Sequence, residues 1–351
     1  MSPERVLVVY NEPVLPDTHP DYISEVEVLD NVEAVLEVIA NAGYAVDRLG
    51  ITSDPQALIE GVRAYGPDAI VNLFEGNADN NATEMYAAGI LEWLGVPYTG
   101  CPFPTLLLAR SKHMAKRLFQ GEGLPTAPFL VFEPGQEPLA ECLLKFPVIV
   151  KPAQQDASVG VDQLSVATDL SGLNDRVLYL TEQFGQPVIV EEFIFGRELT
   201  VALVEMPDLR LLPGTEVVFP NAGPGYWPIL SYDAKWTKGS TEYETTDYHF
   251  KAELTGELAA QIEQSARRAF RLLGCRDYAR VDFRIREGDN KPFILELNPN
   301  PDFAPDRALS NNLWAAGLTH AEFTLQIVRN ALIRGKAART SRYTATERQA
   351  G

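Results

Sequence analysis

The residues best suited to do chemistry lie between Asp277 and Asn300, where two runs of alternating polar and apolar residues flank Gly288, Asp289 and Asn290. Turn residues between two alternating runs predict a β-hairpin. Period two places Arg280, Asp282 and Arg284 on one face of the first limb, and Ile294, Glu296 and Asn298 on one face of the second. Centring the turn on Asp289 sets Asp282 opposite Glu296 and Arg280 opposite Asn298. Directly opposed Cβ atoms lie ~4.5–5.5 Å apart, and two like charges there destabilise a sheet unless something cationic stands between them. A divalent ion would answer that need. The two carboxylates and the Asn298 amide oxygen are hard ligands suited to Mg²⁺, which keeps few protein ligands and shares the rest with water and nucleotide phosphates. Arg280 and Arg284 neutralising a solvated face would answer it too, and the hairpin alone leaves both readings open.

Phosphate would have to be bound without the usual glycine-rich devices, because neither GxxxxGK[ST] nor GxGxxG occurs. Lys151 ends an apolar run and is followed by the small polar loop from Gln154 to Val161, whose amides and Ser158 hydroxyl are able to close over phosphates or to form an ordinary turn. From Glu191 to Glu198 acids stand at both ends of an apolar turn, suited either to ribose hydroxyls or to solvent. The four histidines lack metal-ligand spacing, which argues against zinc. Cys101, Cys142 and Cys275 are odd in number and outside any CxxC pattern, so no disulfide framework is indicated and a reducing cytoplasm fits best.

Stepping outward to the elements that must position these groups, the apolar run from Arg5 to Tyr10 predicts a buried strand. Val28, Val32, Val35, Leu36 and Ile39 recur at helical spacing up to Gly43. Strand and helix then alternate: a strand at Tyr44–Asp47, a helix near 55–65, a strand at Asp68–Leu73 and a helix near 82–94. This alternation predicts a doubly wound parallel sheet, whose ligands lie beyond the carboxyl ends of the strands, such as the end at Asn72–Gly76. From Cys101 the texture changes to a helix carrying Lys112, Lys116 and Arg117, then β-rich runs at 146–152, 187–193 and 199–204 expected to share an antiparallel sheet, a helix near 254–273, the hairpin, and a final helix near 317–333. The expected organisation is α/β and α+β: an N-terminal domain over 1–100, a central lobe over 101–205, a C-terminal lobe with the metal site over 206–335, and a loose tail over 336–351.

The chain of 351 residues carries 48 acidic against 30 basic side chains, a net charge of −18 that disfavours nucleic acid and anionic membranes as general partners. Any anionic ligand must therefore meet a local basic site. No run of about 18 apolar residues is present, so no membrane span is expected.

Taken in order, these segments resemble the ATP-grasp superfamily, and within it the D-alanine:D-alanine ligase-like branch, over about residues 5–335. The resemblance rests on Val96–Gly100, Ser111-Lys112, Val148–Pro152, Ser158–Gly160, Glu191–Glu198, Tyr232–Lys235, Arg280–Asp282 and Glu296–Asn298. It implies an ATP-grasp fold with two α+β lobes clasping ATP. It implies Lys112 and Lys151 on the α- and β-phosphates, with Ser158, Val159 and Gly160 as the tip of a phosphate lid. Glu191, Glu192 and Ile194 would read the adenine edge, Phe193 and Leu295 would sandwich the base, and Glu198 would take the ribose. Lys235 would approach the γ-phosphate, Arg280 would steady the anionic intermediate, and Asp282, Glu296 and Asn298 would hold two Mg²⁺ ions, with Mn²⁺ able to replace them. Arg280, Lys235 and Ser158 are the implied catalytic residues. The implied activity is ATP-dependent ligation of a small-molecule carboxylate to an amine through an acyl phosphate, in a cytoplasmic enzyme expected to form a homodimer.

The amino-acid half departs from that branch. The hydroxyls of a lid serine and of a tyrosine after the γ-phosphate lysine are replaced by Ala157 and Trp236, and the lid's glycine by Asp156. Where the branch has small Gly and Ser residues for the second substrate's carboxylate, this chain has Asp302 and Arg307, and either Glu25 or Glu27 stands for the N-terminal glutamate. The expectation is therefore an acid, an amine or both other than D-alanine, with an authentic D-alanine:D-alanine ligase and a catalytically silent nucleotide sensor as the rival readings.

Overall fold

The computed structural model describes residues 3–16, 22–77, 80, 82–220, 225–305 and 307–350, without the side chains of 23–25, 339 and 341–350. Among these residues the chain opens with β1 (Arg5–Asn11), α1 (Tyr22–Asn41), β2 (Ala45–Ile51), α2 (Pro55–Tyr65), β3 (Ala69–Leu73) and α3 (Thr83–Leu94). The strands form a parallel sheet of order β2-β1-β3. β1 is apolar throughout because both of its faces are covered. Val6, Val8 and Tyr10 face Val28, Val32, Val35 and Ile39 of α1. Leu7 and Val9 face Leu58 and Val62 of α2 and Met85 and Leu91 of α3. Local signals fix the helix ends: Asp54 accepts from the Gln56 amide at 2.8 Å ahead of Pro55, and Gly66 ends α2 in the left-handed region.

Next come α4 (Phe103–Arg110), α5 (Lys112–Gly121), β4 (Phe129–Phe132), β5 (Val148–Pro152), β6 (Val166–Ala167), α6 (Leu170–Phe184) and β7 (Val188–Glu192). The four strands pair antiparallel in the order β4-β7-β5-β6, with Leu173, Val177 and Leu180 of α6 packed on one face. The remaining elements are β8 (Gly196–Glu205), β9 (Leu209–Leu211), β10 (Thr215–Val218), α7 (Tyr232–Trp236), α8 (Thr241–Thr245), β11 (Asp247–Phe250), α9 (Gly256–Leu272), β12 (Tyr278–Arg286), β13 (Pro292–Asn298), α10 (Ala308–Ala315) and α11 (His320–Ala350). Their strands form a six-stranded antiparallel sheet of order β11-β10-β8-β12-β13, with β9 on β8.

Tertiary packing moves three of the expected boundaries. The 199–204 run does not join the sheet of the other two runs, because β8 pairs with β12 and β10 of the C-terminal sheet. Ala109, Ala115 and Phe119 of α4 and α5 are buried with Ile262 and Phe270 of α9 and Ile294 of β13, so α5 and the end of α4 pack with the C-terminal lobe, while Phe103 and Leu106 of α4 pack in the N-terminal core. α11 runs on through 336–350, where a loose tail is expected, in a stretch rich in helix-forming Ala and Arg. Lys336 pairs there with Glu4 at 2.9 Å. Asp277 ties the N-terminal sheet to the C-terminal one, accepting from the Gly100 amide at 2.9 Å and from Arg334 at 2.7 Å.

Candidate active site

β12 and β13 pair antiparallel with Asp282 opposite Glu296 and Arg280 opposite Asn298, the expected register. A bulge follows: Phe283 pairs with Ile294, so Leu295 is the extra residue and the pairs nearer the turn slip by one. The bulge corrects one expectation. Ile294 does not share the face of Glu296; it is fully buried with Leu199 and Val201 of β8, while Leu295 turns with Glu296 toward the cleft. Arg280 grips Asp282 through Nε and Nη2 at 3.1 and 3.0 Å, and Thr200 donates to the same carboxylate at 2.9 Å. Lys112 meets Glu296 at 2.9 Å. Burial alone would raise the Glu296 carboxyl, but Lys112, Lys235 and Arg280 hold it well below the ordinary carboxylate range.

The hairpin floors a cleft between the two antiparallel sheets. Lys112, Lys151, Ser158, Val159, Glu191, Glu192, Phe193, Ile194, Glu198, Lys235, Asp282, Leu295 and Glu296 all line it. Gly160, Arg280 and Asn298 are partly exposed and not part of that lining. Beneath the cleft, Glu191 is fully buried between Lys116 at 3.0 Å and Lys151 at 3.1 Å. Its carboxylate, for which the resemblance implies an adenine contact, is also the counter-ion of two lysines. Lys116 also donates to Thr126 at 2.6 Å. Glu192 accepts from the Lys145 amide at 3.0 Å, Phe193 meets Phe195 and Trp227 edge-on, and Ile194 packs on Ala127 and Phe293. Glu198 pairs with Arg284 at 2.9 Å, yet burial pushes its carboxyl up. Burial pulls the Lys235 ammonium down, as does Arg280, against the pull of Glu296 and Asp282.

The lid over this cleft is strained and tethered. Ala157 and Ser158 both adopt left-handed backbone, at φ 53° and 63°. Gly160 follows at φ 75°, and a Cβ there would come within 2.7 Å of Pro152, so glycine is required. Ser158 donates to the Leu230 carbonyl at 2.7 Å, the Tyr232 amide to the Val161 carbonyl at 2.9 Å, and the Trp236 indole to the Ala157 carbonyl at 3.0 Å.

At the other end of the site, Arg307 meets Glu27 at 2.6 Å and Asp302 at 3.3 Å, and Asn31 donates to Asp302 at 3.2 Å. Glu27, one of the two candidate N-terminal glutamates, is thus held by Arg307; the side chain of the other, Glu25, lies outside the described residues. Asn300 donates to Glu84 at 2.8 Å, accepts from the Tyr278 hydroxyl at 3.1 Å, and through its amide reaches Asn298 Oδ1 at 2.9 Å.

For a divalent cation the donor set fits. Two carboxylates oppose one another, both facing the cleft, with an amide oxygen two residues beyond Glu296, and all three offer oxygen. Among the described residues no group of three or more His, Cys, Asp or Glu side chains is placed to hold a metal.

Residues 118–329 match the family described as "D-ala D-ala ligase C-terminus". The chain is 31% identical to a D-alanine–D-alanine ligase of Ralstonia pickettii over 76% of each chain. It is also 31% identical to that of Gluconobacter oxydans over 86% of this chain and 93% of the relative. The chain belongs to the D-alanine–D-alanine ligase family. The crystal structure of the Bacillus anthracis D-alanine–D-alanine ligase complexed with ATP has a similar fold, with a TM-score of 0.75 and 20% identity over 96% of this chain and all of that one. The protein is accordingly an ATP-dependent ligase of ATP-grasp fold that forms a carbon–nitrogen bond between small-molecule substrates with release of ADP. No helix among the described residues is long and apolar enough to cross a membrane.

At two positions where the sequence departs from that family, Trp236 and Ala157 meet through the indole N–H and the Ala157 carbonyl. Sequence reasoning passed over Lys116, Thr126 and Glu84, and gave Glu75 no role. A signal existed for two of them. Lys116 falls among Ala115 and Phe119 on the buried face of an amphipathic helix, and Glu75 sits at the strand end where parallel sheets place ligands.

Proposed function

We propose that this ligase joins D-alanine to D-alanine at the expense of ATP. The observation that carries the reading is the opposition of Asp282 and Glu296 at the floor of the cleft, flanked by Lys112, Lys235 and Arg280. Lys112 and Lys151 bind the α- and β-phosphates, while Ser158, Val159 and Gly160 close over them. Glu192, Phe193, Ile194 and Leu295 receive the base, and Glu198 the ribose. Asp282, Glu296 and Asn298 hold two Mg²⁺ ions, which supply charge neutralisation for the transferred phosphoryl group.

The substrate carboxylate attacks the γ-phosphorus, the bond to the ADP oxygen breaks, and Lys235 offsets the charge gathering there. The amine of the second substrate then attacks the acyl carbon, and Arg280 steadies the oxyanion. Phosphate leaves with the bonding electrons, and the amine proton passes to solvent. The whole works as a homodimer in the cytoplasm. A silent sensor would need the base contacts but not both acids and Lys235 beside the γ-phosphate.

One observation favours a second reading, an amine other than D-alanine: Asp302, paired with Arg307, puts a carboxylate where the resemblance implies that the second substrate's carboxylate binds. ADP release from the purified chain with ATP, Mg²⁺ and D-alanine, followed by mass spectrometry of the product, decides between them. D-Alanyl-D-alanine as product supports the first reading. Turnover that requires a different amine rejects it.

A further inference from the structure

Three charged residues alternate along one face of β12. Arg280 and Asp282 grip each other beside the reacting groups. Arg284, the third, lines the same cleft and is only 4% exposed. Burying a guanidinium is costly unless it is paired and hydrogen-bonded, so its partners indicate what the position serves.

Directly across the sheet from Arg284, on β8, stands Glu198. The Arg284 Nη2 meets Glu198 Oε2 at 2.9 Å. Opposite charges in directly opposed cross-strand positions attract, and here the pair is withdrawn from solvent, with Glu198 8% exposed. The rest of the guanidinium is held by groups that carry no net charge. Nη1 donates to the Gly196 carbonyl at 3.0 Å, and Nη2 also donates to the Pro228 carbonyl. The guanidinium carbon lies over the rings of Phe193 and Phe219, 5.4 and 5.7 Å from their centroids. These contacts come from the start of β8, the turn before it, the residue after β10 and the segment before α7. A planar fork held from several sides keeps little freedom, where a flexible ammonium would keep more. Arg284 is therefore fixed by the fold without any ligand, and it fixes the carboxylate beside it.

An ionised carboxylate only accepts hydrogen bonds. Bonds to a charged acceptor are about twice as strong as neutral ones. Resting on the assignment of the ribose to Glu198, we propose that Arg284 is a positioning residue that holds the Glu198 carboxylate charged and aimed into the cleft, so that nucleotides are selected by their ribose hydroxyls. The contact of Arg284 with Phe193 couples the sugar acid to the platform under the base.

The test is calorimetric titration of ADP and of 2′,3′-dideoxy-ADP, which lacks both hydroxyls, into the full chain with Mg²⁺. In the unaltered protein ADP is expected to bind about tenfold or more tighter. In Arg284→Gln that ratio falls toward one, because ADP weakens while the dideoxy nucleotide scarcely changes. Glu198→Gln does the same, and the double variant loses no more of the ratio than Glu198→Gln alone. Arg284→Lys, which keeps the charge and loses the fork, loses part of the ratio. Thermal melting identifies the folded variants, and the lysine variant carries the test if the glutamine variant does not fold.

A ratio unchanged in the folded Arg284 variants, with both nucleotides weakened alike, would make Arg284 a brace of the fold and overturn the inference. A further loss in the double variant would mean that Arg284 meets the ribose itself, and would overturn the positioning role. Equal affinities in the unaltered protein would instead overturn the ribose assignment of Glu198, and the inference with it.

Discussion

At the phosphate end of the cleft the lysines are met by acids before any ligand arrives: Lys112 by Glu296 and Asp156, Lys116 and Lys151 by Glu191. At the wall formed by α1, the end of β3, α3 and the loop after β13, Arg307 pairs with Glu27 and Asp302 and lies near Glu75, and Glu84 is held by the neutral amide of Asn300. The first arrangement positions cations for a polyanion whose charge is known in advance. In the second, burial by the surrounding protein above all, with neighbouring like charges, raises the Glu75 and Glu84 carboxyls to about 8. One group of acids is thus matched by cations already in place, and the other is governed by burial.

The largest effect that would test the matched end is on stability. Glu191→Gln strands the Lys116 ammonium in the interior, and removing one partner of a buried pair costs about 3–5 kcal/mol. Urea unfolding should show that loss, and a change below about 1 kcal/mol would mean that the buried triad does not organise this end. Glu296→Gln should keep the fold but lower the rate of ADP release by roughly 10²–10³-fold, the scale for removing one preorganised charged or polar group. Unimpaired turnover would discard the assignment of Asp282 and Glu296 to metal ions.

Trp236→Phe tests the lid. It removes the indole donor to Ala157, a bond worth about 0.5–1.5 kcal/mol, so the KM for ATP should rise by a factor of roughly two to ten. An unchanged KM would show that Ser158 and Val161 anchor the lid alone.

The smallest effect separates the two ends by sign. A carboxyl that holds its proton more tightly in the fold than in the unfolded chain makes the folded state the better proton binder. Stability from Glu75 and Glu84 therefore falls as pH climbs from the ordinary 4.5 to about 8. Glu296 acts oppositely: its contribution is complete above the ordinary range and is lost as pH falls below it. Melting curves of ligand-free protein across neutral pH should show the decline, and Glu84→Gln should flatten it. A slope unchanged by that substitution would remove Glu84 from the account.

Much of this was legible from short stretches of chain. The Asp282–Glu296 opposition follows from a turn and two alternating limbs, because a hairpin's pairing is set by residues close in sequence. The helices of the N-terminal unit follow from apolar spacing and caps, which act within one or two turns. The bulge at Leu295 was not legible, since it is set by what lies beneath: Ile294 is drawn into the core with β8 and α9, and the limb accommodates an extra residue. Nor was the sheet of β8, because the choice of strand partner depends on segments tens of residues away.

The sequence by itself determined the pair of opposed acids, the order of lysines around them and the absence of commoner phosphate loops, all of which depend on residue type and short spacing. Only the tertiary structure decided that Glu191 serves Lys116 and Lys151, that Trp236 reaches the Ala157 carbonyl, and that Glu75 and Asp302 share a wall with Asn31. The physical reason is that local order is set by bonded neighbours, whereas the balance of charge in a cleft is set by side chains that meet only after the chain has folded.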